Sequence, residues 1–338
     1  MEMRVSFIVV ALNAASTIGM LLDCLKRQTY PHELIEVILV DGHSTDTTKA
    51  EMLKFQEKEK GFWEIKVLDN PKRTLPCGWN VALGIAQGDA LLRVDAHVTI
   101  PDSFIERSVS NLLRGEDISG GKVTSVPADD SKWSAVLNEA ENSMFGGGFA
   151  AFRRTKTAGY FNTVAFAIYR KSVFDKVGKY NEALPRTEDN EMHYRMRQAG
   201  YRFYYDPEIV SYRKTRADLK KLIKQKALNG YWIGRTLGIE PRCFSLHHFV
   251  PLAFVLAIFF TTLLMINGIE WPAYILWGTY ALANVLMTLS AIVVSSRRNW
   301  LFLFLPIVFF ALHLSYGVAT IAGIIRMLIQ LLFNWQQP

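Results

Sequence analysis

Three long apolar stretches, Phe249–Ile266, Trp271–Val294 and Leu301–Phe333, close this 338-residue chain. A bilayer crossing takes about 20 apolar residues, so each is long enough to cross. A chain that carries them cannot fold as one water-soluble globule. The last stretch exceeds a single span and holds Arg326 and Gln330. It is expected to cross up to about Thr320 and then bend or run along the interface. Nearly all the charge lies before His247, so a soluble domain comes first and a membrane segment second. Mean hydropathy is +0.12, high for a soluble enzyme.

The charge pattern sets the orientation. Lys220, Lys221, Lys224, Lys226, Arg235 and Arg242 stand just ahead of the first apolar stretch. They account for the net charge of +7 more simply than a nucleic-acid partner would, and no nucleic acid is expected. Asn267–Glu270 has no Lys or Arg, whereas Ser295–Asn299 carries Arg297 and Arg298. This bias puts the soluble part and the Arg297 loop in the cytoplasm, in a multi-pass protein of the inner or plasma membrane. Trp271, Trp300 and Trp335 stand where interfacial anchors belong. Cys24, Cys77 and Cys243 form no Cys-x-x-Cys pair and read as reduced thiols of a cytosolic domain. Val5–Leu12 is too short and wrongly flanked for a signal peptide, so it reads as a strand.

Val5–Ala11 is a continuous β-rich apolar run, as in a strand buried on both faces. Ser16 reads as the N-cap of a helix whose apolar face is Ile18, Leu21, Leu22 and Leu25. The unit ends at Tyr30-Pro31. Glu36–Val40, Glu64–Leu68 and Ala90–Val94 read as further strands, with helices from near Asp46 and over Asn80–Ala86. Such alternation with short links implies an α/β, doubly wound and mostly parallel sheet. Between Phe104 and Arg216 the pattern is less regular. Gly146-Gly147-Gly148 and Arg153–Lys156 mark a glycine-rich, basic loop. Asp189–Ala199 reads as a helix stopped by Gly200, and Tyr201–Asp206 as a short strand closed by Pro207. Lys220–Leu237 is basic and amphipathic: it either lies flat on a membrane surface or forms a solvated helix of the soluble domain. The expected domains are 1–215, an amphipathic segment 216–247, and a membrane domain 248–333 with about three spanning helices.

Carboxylates stand where such a sheet binds ligands, beyond the carboxyl ends of its strands. Asp41 follows the second strand and can accept hydrogen bonds from a ribose or base. Turns favour Asp in any case, so Asp41 alone decides nothing. Asp46 reads as a cap for the next helix. Asp95 and His97 sit at alternate positions leaving a strand, where they could share a divalent cation, Mg²⁺ or Mn²⁺. A strand-end turn with a hydrogen-bonded His is the other reading. Glu188 and Asp189 open a helix, either as caps or with Asp189 as a general base. Arg195 and Arg197 on that helix could pair with acids or face phosphates. No Walker A, Gly-x-Gly-x-x-Gly, Gly-x-Ser-x-Gly or His-Glu-x-x-His pattern is present, which disfavours the matching NTPases, dehydrogenases and hydrolases.

Together these residues resemble the family 2 glycosyltransferases of GT-A fold, and within them the succinoglycan-type exopolysaccharide transferases, over essentially the whole chain. Val5–Asn13 with Gln28-Thr29-Tyr30-Pro31 looks like the family's opening. Val40-Asp41-Gly42-His43-Ser44-Thr45-Asp46 resembles its nucleotide-binding turn, with Gly42 where the commoner form has a second Asp. Asn70-Pro71, Pro76, Asn80, Gly84, Gly88-Asp89 and Arg93-Val94-Asp95-Ala96-His97 resemble the donor-phosphate segment, with Asp-Ala-His where most relatives have Asp-x-Asp. Thr187-Glu188-Asp189-Asn190-Glu191 with Tyr194-Arg195 resembles the acceptor-side motif. Asn229-Gly230-Tyr231-Trp232, His247-His248-Phe249-Val250-Pro251 and His313-Leu314-Ser315-Tyr316-Gly317 look like membrane-proximal signatures of the subgroup.

The resemblance implies donor binding by Ala11, Asn13, Asp41, Asp46, Asn80 and Asp95, and a divalent metal on Asp95 and His97. It also implies a catalytic base at Asp189, with Glu188, Glu191 and Arg195 on the acceptor side. The expected reaction is inverting transfer from a nucleotide-diphosphate sugar, of the UDP-sugar kind, to a polyprenyl-diphosphate-linked saccharide in cell-surface glycan assembly. Membrane lipids and other polysaccharide-assembly proteins are the implied partners. A polyprenyl-phosphate glycosyltransferase is the nearest rival. A processive synthase is disfavoured because Gln225-Lys226-Ala227-Leu228-Asn229 replaces that class's Gln-x-x-Arg-Trp. An inactive membrane scaffold is disfavoured by the retention of Asp41, Asp95 and Asp189.

Overall fold

The computed structural model describes residues 2–147 and 155–333. Gly148, Arg153 and Arg154 of the expected basic loop, and the Trp335 anchor, lie outside the described residues. Contacts divide the chain into a sheet unit, Met1–Thr124 with Ala151–Arg213, and a helical unit, Ser125–Ala150 with Lys214–Pro338.

The sheet unit begins β1 (Val5–Ala11), α1 (Ala15–Lys26), β2 (Ile35–Asp41), α2 (Thr48–Lys58), β3 (Glu64–Asp69), α3 (Leu75–Leu83) and β4 (Ala90–Arg93). These strands pair in parallel in the order β3-β2-β1-β4. Every residue of β1 and β2 is buried, which is why each reads as an unbroken apolar run. One face of β1 packs Val5, Phe7 and Val9 with Ile18, Leu21 and Leu25 of α1 and Met52 and Phe55 of α2. On the other side α3 packs against β1 and β2.

Two expected boundaries move. The N-cap of α1 is Ala14, not Ser16, and it makes no side-chain cap bond. The neighbouring loop supplies the acceptors instead: Thr48 Oγ1 takes Ala14 N–H at 2.8 Å and Asp46 Oδ2 takes Ala15 N–H at 3.1 Å. The Asn80 helix starts five residues before Asn80, because Pro76 lies at its first turn, where a missing N–H costs nothing.

The irregular middle of the chain contributes β5 (Val98–Thr99), α4 (Phe104–Leu113), β6 (Ile118–Val126), α5 (Lys132–Asn142), β7 (Gly159–Phe161), β8 (Ala165–Arg170), α6 (Lys171–Val177), α7 (Glu188–Gln198) and β9 (Phe203–Lys214). Of these, α5 belongs to the helical unit. The sheet continues from β4 through β8, β6 and β9 to β5, with antiparallel pairing at β4–β8, β6–β8 and β5–β9. The result is a mixed sheet whose first half is the expected parallel one. Pro207 does not close its strand: β9 runs on to Lys214. Its β7 partners end at Tyr205 and its β5 partners begin at Tyr212, so the missing N–H of Pro207 falls between the two ladders.

The helical unit comprises α5, α8 (Leu219–Thr236), α9 (Val250–Ile266), α10 (Trp271–Val294) and α11 (Leu305–Leu332). Three of its helical stretches are long and apolar enough to cross a membrane: Leu246–Ile266, Trp271–Val294 and Trp300–Leu332. Helix α11 continues unbroken past Thr320.

Bare backbone lets α8 approach α11 closely. A Cβ added at Gly230 would lie 2.2 Å from the Tyr316 carbonyl oxygen, and one at Gly234 would lie 2.4 Å from that of Thr320. At Gly317 of α11 the same atom would lie 2.3 Å from the Pro251 carbonyl oxygen. The three membrane-proximal signatures read from the sequence are therefore the points where α8, α9 and α11 touch. His313 donates through Nε2 to the Phe145 carbonyl and accepts at Nδ1 from the Tyr280 hydroxyl at 3.0 Å.

Candidate functional site

From β1 the chain winds outward through β2 and β3, then returns to the other flank of β1 with β4. Where strand order reverses, the loops leaving neighbouring strands diverge and open a crevice beyond their carboxyl ends. Ala11 closes β1, Asp41 closes β2 and Arg93 closes β4.

The β1 and β2 ends are stitched to each other. Ala11 and Asp41 are register partners, and the Ala11 carbonyl accepts from Gly42 N–H at 2.8 Å. Asp41 is buried, and its carboxylate accepts from Ser44 N–H at 3.1 Å. Asn13, in the left-handed region at φ 51°, donates its N–H to Ser44 Oγ at 2.9 Å. Its side-chain oxygen accepts from Thr45 N–H at 2.8 Å. The N-cap of α2 is Thr47, one residue past the expected Asp46, but Asp46 accepts from Thr48 N–H at 3.0 Å and from Ala15 N–H and so ties α1 to the start of α2. Bonds from the Thr48 side chain and backbone hold the Asp46 carboxyl below its ordinary value.

Asn80 is placed differently from a free ligand contact. Its amide donates to the Tyr180 carbonyl at 2.9 Å and to Glu182 Oε1 at 3.1 Å, and its oxygen accepts from Tyr180 N–H at 2.8 Å. Asn80 thus orders the segment that carries Tyr180. Glu182 also accepts from Lys72, and the bonds from Lys72 and Asn80 hold its carboxyl at about 2.

Past Arg93 the chain turns at Ala96-His97 rather than running on as a strand. Burial still alternates: Val94, Ala96 and Val98 are buried, while Arg93, Asp95 and His97 are partly exposed. Among the described residues no cluster of three or more His, Cys, Asp or Glu side chains could hold a metal. A hard cation shared with a diphosphate needs only one or two protein carboxylates, of which Asp95 offers one. An imidazole such as His97 would suit Mn²⁺ better than Mg²⁺.

The strongest polar cluster lies beside Asp95. Arg93 and Asp189 form a two-pronged ion pair, Nη2 to Oδ2 at 2.7 Å and Nη1 to Oδ1. The guanidinium lies 4.6 Å over the Trp79 ring, and Nη1 also donates to the Tyr180 hydroxyl at 2.9 Å. Glu188 Oε1 is 3.8 Å from Arg93 Nη2, and Glu188 Oε2 is buried without a hydrogen bond. Burial works to raise the Asp189 pKa, but the charge and bonds of Arg93 outweigh it and leave that carboxyl below its ordinary value. Glu188 goes the other way, pushed well above the carboxylate range by burial and then by the charge of Asp189. Neighbouring carboxyls driven apart in this way are an arrangement typical of acid–base sites. Asp189 is the ionised member, and an ionised carboxylate keeps further lone pairs when each oxygen accepts one bond. It can still take the proton of an incoming hydroxyl.

Below it on α7, His193 is bonded to the Thr163 hydroxyl at 2.7 Å and the Tyr169 hydroxyl at 2.9 Å. Burial is the main cause that brings its pKa from 6.5 down to about 4. The folded chain then binds this proton less readily than the unfolded one. Stability on this account falls as pH drops from about 6.5 to about 4 and levels off below. The thermal midpoint measured across that range should decline less in His193→Gln than in the parent. Glu191 and Arg195 pair with each other, Arg195 Nη2 to Glu191 Oε2 at 2.9 Å. Arg195 also donates to the Val177 and Lys179 carbonyls at 2.7 and 2.9 Å, which fastens α7 to the end of α6. In the sequence Arg93 stands out only as part of its motif, and nothing marks Trp79, Tyr180 or His193; the available signal is a charge inside the apolar run Ala90–Val94.

The model of "Glycosyl transferase family 2" matches residues 6–178, about half of the chain. The chain belongs to glycosyl transferase family 2. Its mixed sheet is the GT-A arrangement, and the protein is a glycosyltransferase. The succinoglycan biosynthesis protein ExoA of Rhizobium meliloti is 31% identical over 281 residues, 82% of each chain. A Methanococcus voltae family relative is 26% identical over 322 residues, 93% of this chain and 95% of its own. It is named dolichyl N-acetyl-alpha-D-glucosaminyl phosphate 3-beta-D-2,3-diacetamido-2,3-dideoxy-beta-D-glucuronosyltransferase. Among solved structures, the mannosyltransferase PcManGT of Pyrobaculum calidifontis, in complex with GDP-Man and Mn²⁺, aligns with a TM-score of 0.55 at 17% identity. That alignment covers 99% of this chain and 89% of that one, and at such identity it speaks for the fold alone.

Proposed function

We propose that this family 2 enzyme transfers a sugar, with inversion, from a nucleotide-diphosphate sugar to a saccharide carried on a polyprenyl diphosphate. It would do so at the cytoplasmic face of the inner or plasma membrane, in exopolysaccharide or cell-surface glycan assembly. The observation that carries the reading is Asp189, held ionised by Arg93 next to the strand-end crevice. In this reading Asp189 takes the proton of the acceptor hydroxyl as its oxygen attacks the anomeric carbon. The bond from that carbon to the diphosphate breaks on the opposite side, which inverts the configuration, and the nucleoside diphosphate leaves. Ala11, Asn13 and Asp41 hold the nucleoside. Asp95, with His97, would hold a divalent cation that offsets charge on the diphosphate. Glu188, its carboxyl pushed upward by burial, stands beside the base, and Glu191 and Arg195 keep α7 in place.

An acceptor that stays in the bilayer gives apolar helices on the same chain a purpose. The name of the Methanococcus voltae relative specifies a sugar already on a lipid phosphate, which favours extending a lipid-linked saccharide over loading bare lipid phosphate. Purified enzyme should be offered a panel of nucleotide sugars with either polyprenyl-diphosphate-sugar or polyprenyl phosphate, with and without EDTA. Product is expected on the diphosphate-sugar acceptor, lost in EDTA and restored by Mn²⁺ or Mg²⁺. Product on polyprenyl phosphate alone, or turnover indifferent to EDTA, would overturn this reading.

A further inference from the structure

The helical unit's last helix is flanked along one side by helices that cannot enter a bilayer. The amphipathic helix α5 packs Ala135, Val136 and Leu137 with Phe302, Leu305 and Val308, at and just before the start of α11. Helix α8 takes over where α5 stops: Leu222 joins the cluster of Phe309 and Leu312, Gly230 meets Tyr316, Gly234 meets Thr320, and Gly238 beyond its end meets Met327. The contacts advance together in both helices, so α8 and α11 run parallel and share one orientation. Lys220, Lys221 and Lys224 of α8 are exposed. A charge at the centre of a bilayer costs on the order of 3 kcal/mol by insertion scales.

Two ways of crossing fail on this pairing. If the whole stretch Trp300–Leu332 crossed, its middle would be Tyr316, against Gly230, with Lys224 and Lys226 within two turns of it. If only Leu301–Thr320 crossed, its middle would be level with Leu222, between Lys221 and Lys224.

Helix α9 behaves differently. It meets α11 through Pro251, Phe254 and Val255 at its own start, none of its residues is buried, and Leu256, Phe259, Phe260 and Leu263 are exposed. Apolar all round and with no residue buried, α9 suits a bilayer crossing with α10, against which Phe254 stacks on Tyr280. By contrast, α11 exposes one apolar stripe, Ile307, Leu314, Val318, Ile325 and Leu328, opposite the face that α5 and α8 cover. A single apolar face continuous with a crossing hairpin, on a helix whose companion carries lysines suited to anionic headgroups, fits the plane of the interface.

We infer that α9 and α10 are the crossing helices, and that α11 lies in the headgroup–acyl boundary of the cytoplasmic leaflet with its Ile307–Leu328 stripe in lipid. The described helices then make two passes, and Phe333 returns to the side of Lys220. This rests on the membrane location of the helical unit and not on the sugar-transfer reaction.

The test places a bimane-labelled cysteine singly at Ile307, Leu314, Val318 or Ile325 in the full chain. The wild-type chain, whose three cysteines are buried, supplies the background. In phosphatidylethanolamine–phosphatidylglycerol vesicles, a nitroxide near the headgroup should quench all four positions to the same extent, and one at the acyl terminus should quench none strongly. Preferential deep quenching at Leu314 and Val318 would mean a span, and absence of quenching at all four would mean the stripe faces water or protein. Either result overturns the inference. In sealed native membranes, an impermeant maleimide should label Phe333→Cys from the same side as Lys220→Cys, and Asn267→Cys from the other. Phe333→Cys labelled together with Asn267→Cys would equally overturn it, detergent-opened membranes confirming that each thiol reacts.

Discussion

Asp189→Asn is expected to lower kcat by about 10²- to 10⁴-fold, the range a positioned general base supplies, while donor affinity stays near that of the parent. The amide keeps the carboxylate's shape and can still accept from Arg93, so the site should survive. What it lacks is the basic oxygen. Initial rates with saturating donor and acceptor, beside donor binding by calorimetry, separate the two effects. Removing the Asp189 charge also removes the second cause that holds Glu188 high, and burial remains the first. Glu188 in the variant should therefore ionise more readily and pair with Arg93, now 3.8 Å away. A companion variant, Arg93→Gln, takes away what keeps Asp189 low and leaves burial to raise it. The acid limb of the kcat/KM profile should then move to higher pH. An unmoved limb would show that Asp189 is not the titrating base.

The second large effect lies far from any chemistry. Gly234→Leu puts a Cβ 2.4 Å from the Thr320 carbonyl oxygen and 2.7 Å from Ile324 N, both main-chain atoms that no rotamer change can move aside. The helices α8 and α11 must part. Overpacking a core costs 1–3 kcal/mol and occasionally more, and a backbone clash belongs at or above the top of that range, about 3 kcal/mol. The expected readout is a large fall in the thermal midpoint in detergent, with new protease cleavage in the α8 region. Gly19→Ala is the matched control. A Cβ there meets nothing within 4 Å, and α1 should gain up to about 1 kcal/mol from the better helix former. Equal midpoints for Gly234→Leu and the parent would mean that α8 and α11 are not packed as described.

What was legible in the chain follows from how each part is buried. The strands β1 and β2 sit deep in a parallel sheet, so Val5–Ala11 and Ile35–Asp41 are continuous apolar runs and read easily. The antiparallel half mixes buried with part-exposed positions, includes strands of two and three residues, and carries Pro207 inside β9, and gave no comparable pattern. Ser16 has the residue type of a cap, but the acceptors for α1 come from Thr48 and Asp46, on another loop. The helix read from Asn80 begins at Leu75, with Pro76 in its first turn.

At the candidate site the acids were legible one at a time, as Asp41 and Asp95 near strand ends and Asp189 at a helix start. Their partners were not. Arg93 meets Asp189 across 96 residues, and Asn80 meets Tyr180 across 100, so those pairings are facts of tertiary structure. The spacing Gly230, Gly234, Gly238 stood in the sequence as a close-packing signal, inside a segment read for its lysines.

The central claim is that this chain moves sugar from a nucleotide donor on to a lipid. The most direct measurement incubates membranes containing the chain, its Asp189→Asn variant, or neither, with radiolabelled nucleotide sugars, and counts label in the organic extract. The account predicts label in the lipid phase with the parent chain alone, released by mild acid as a saccharide longer than the acceptor's. Label confined to water-soluble products, or lipid labelling equal in Asp189→Asn and the parent, would contradict it.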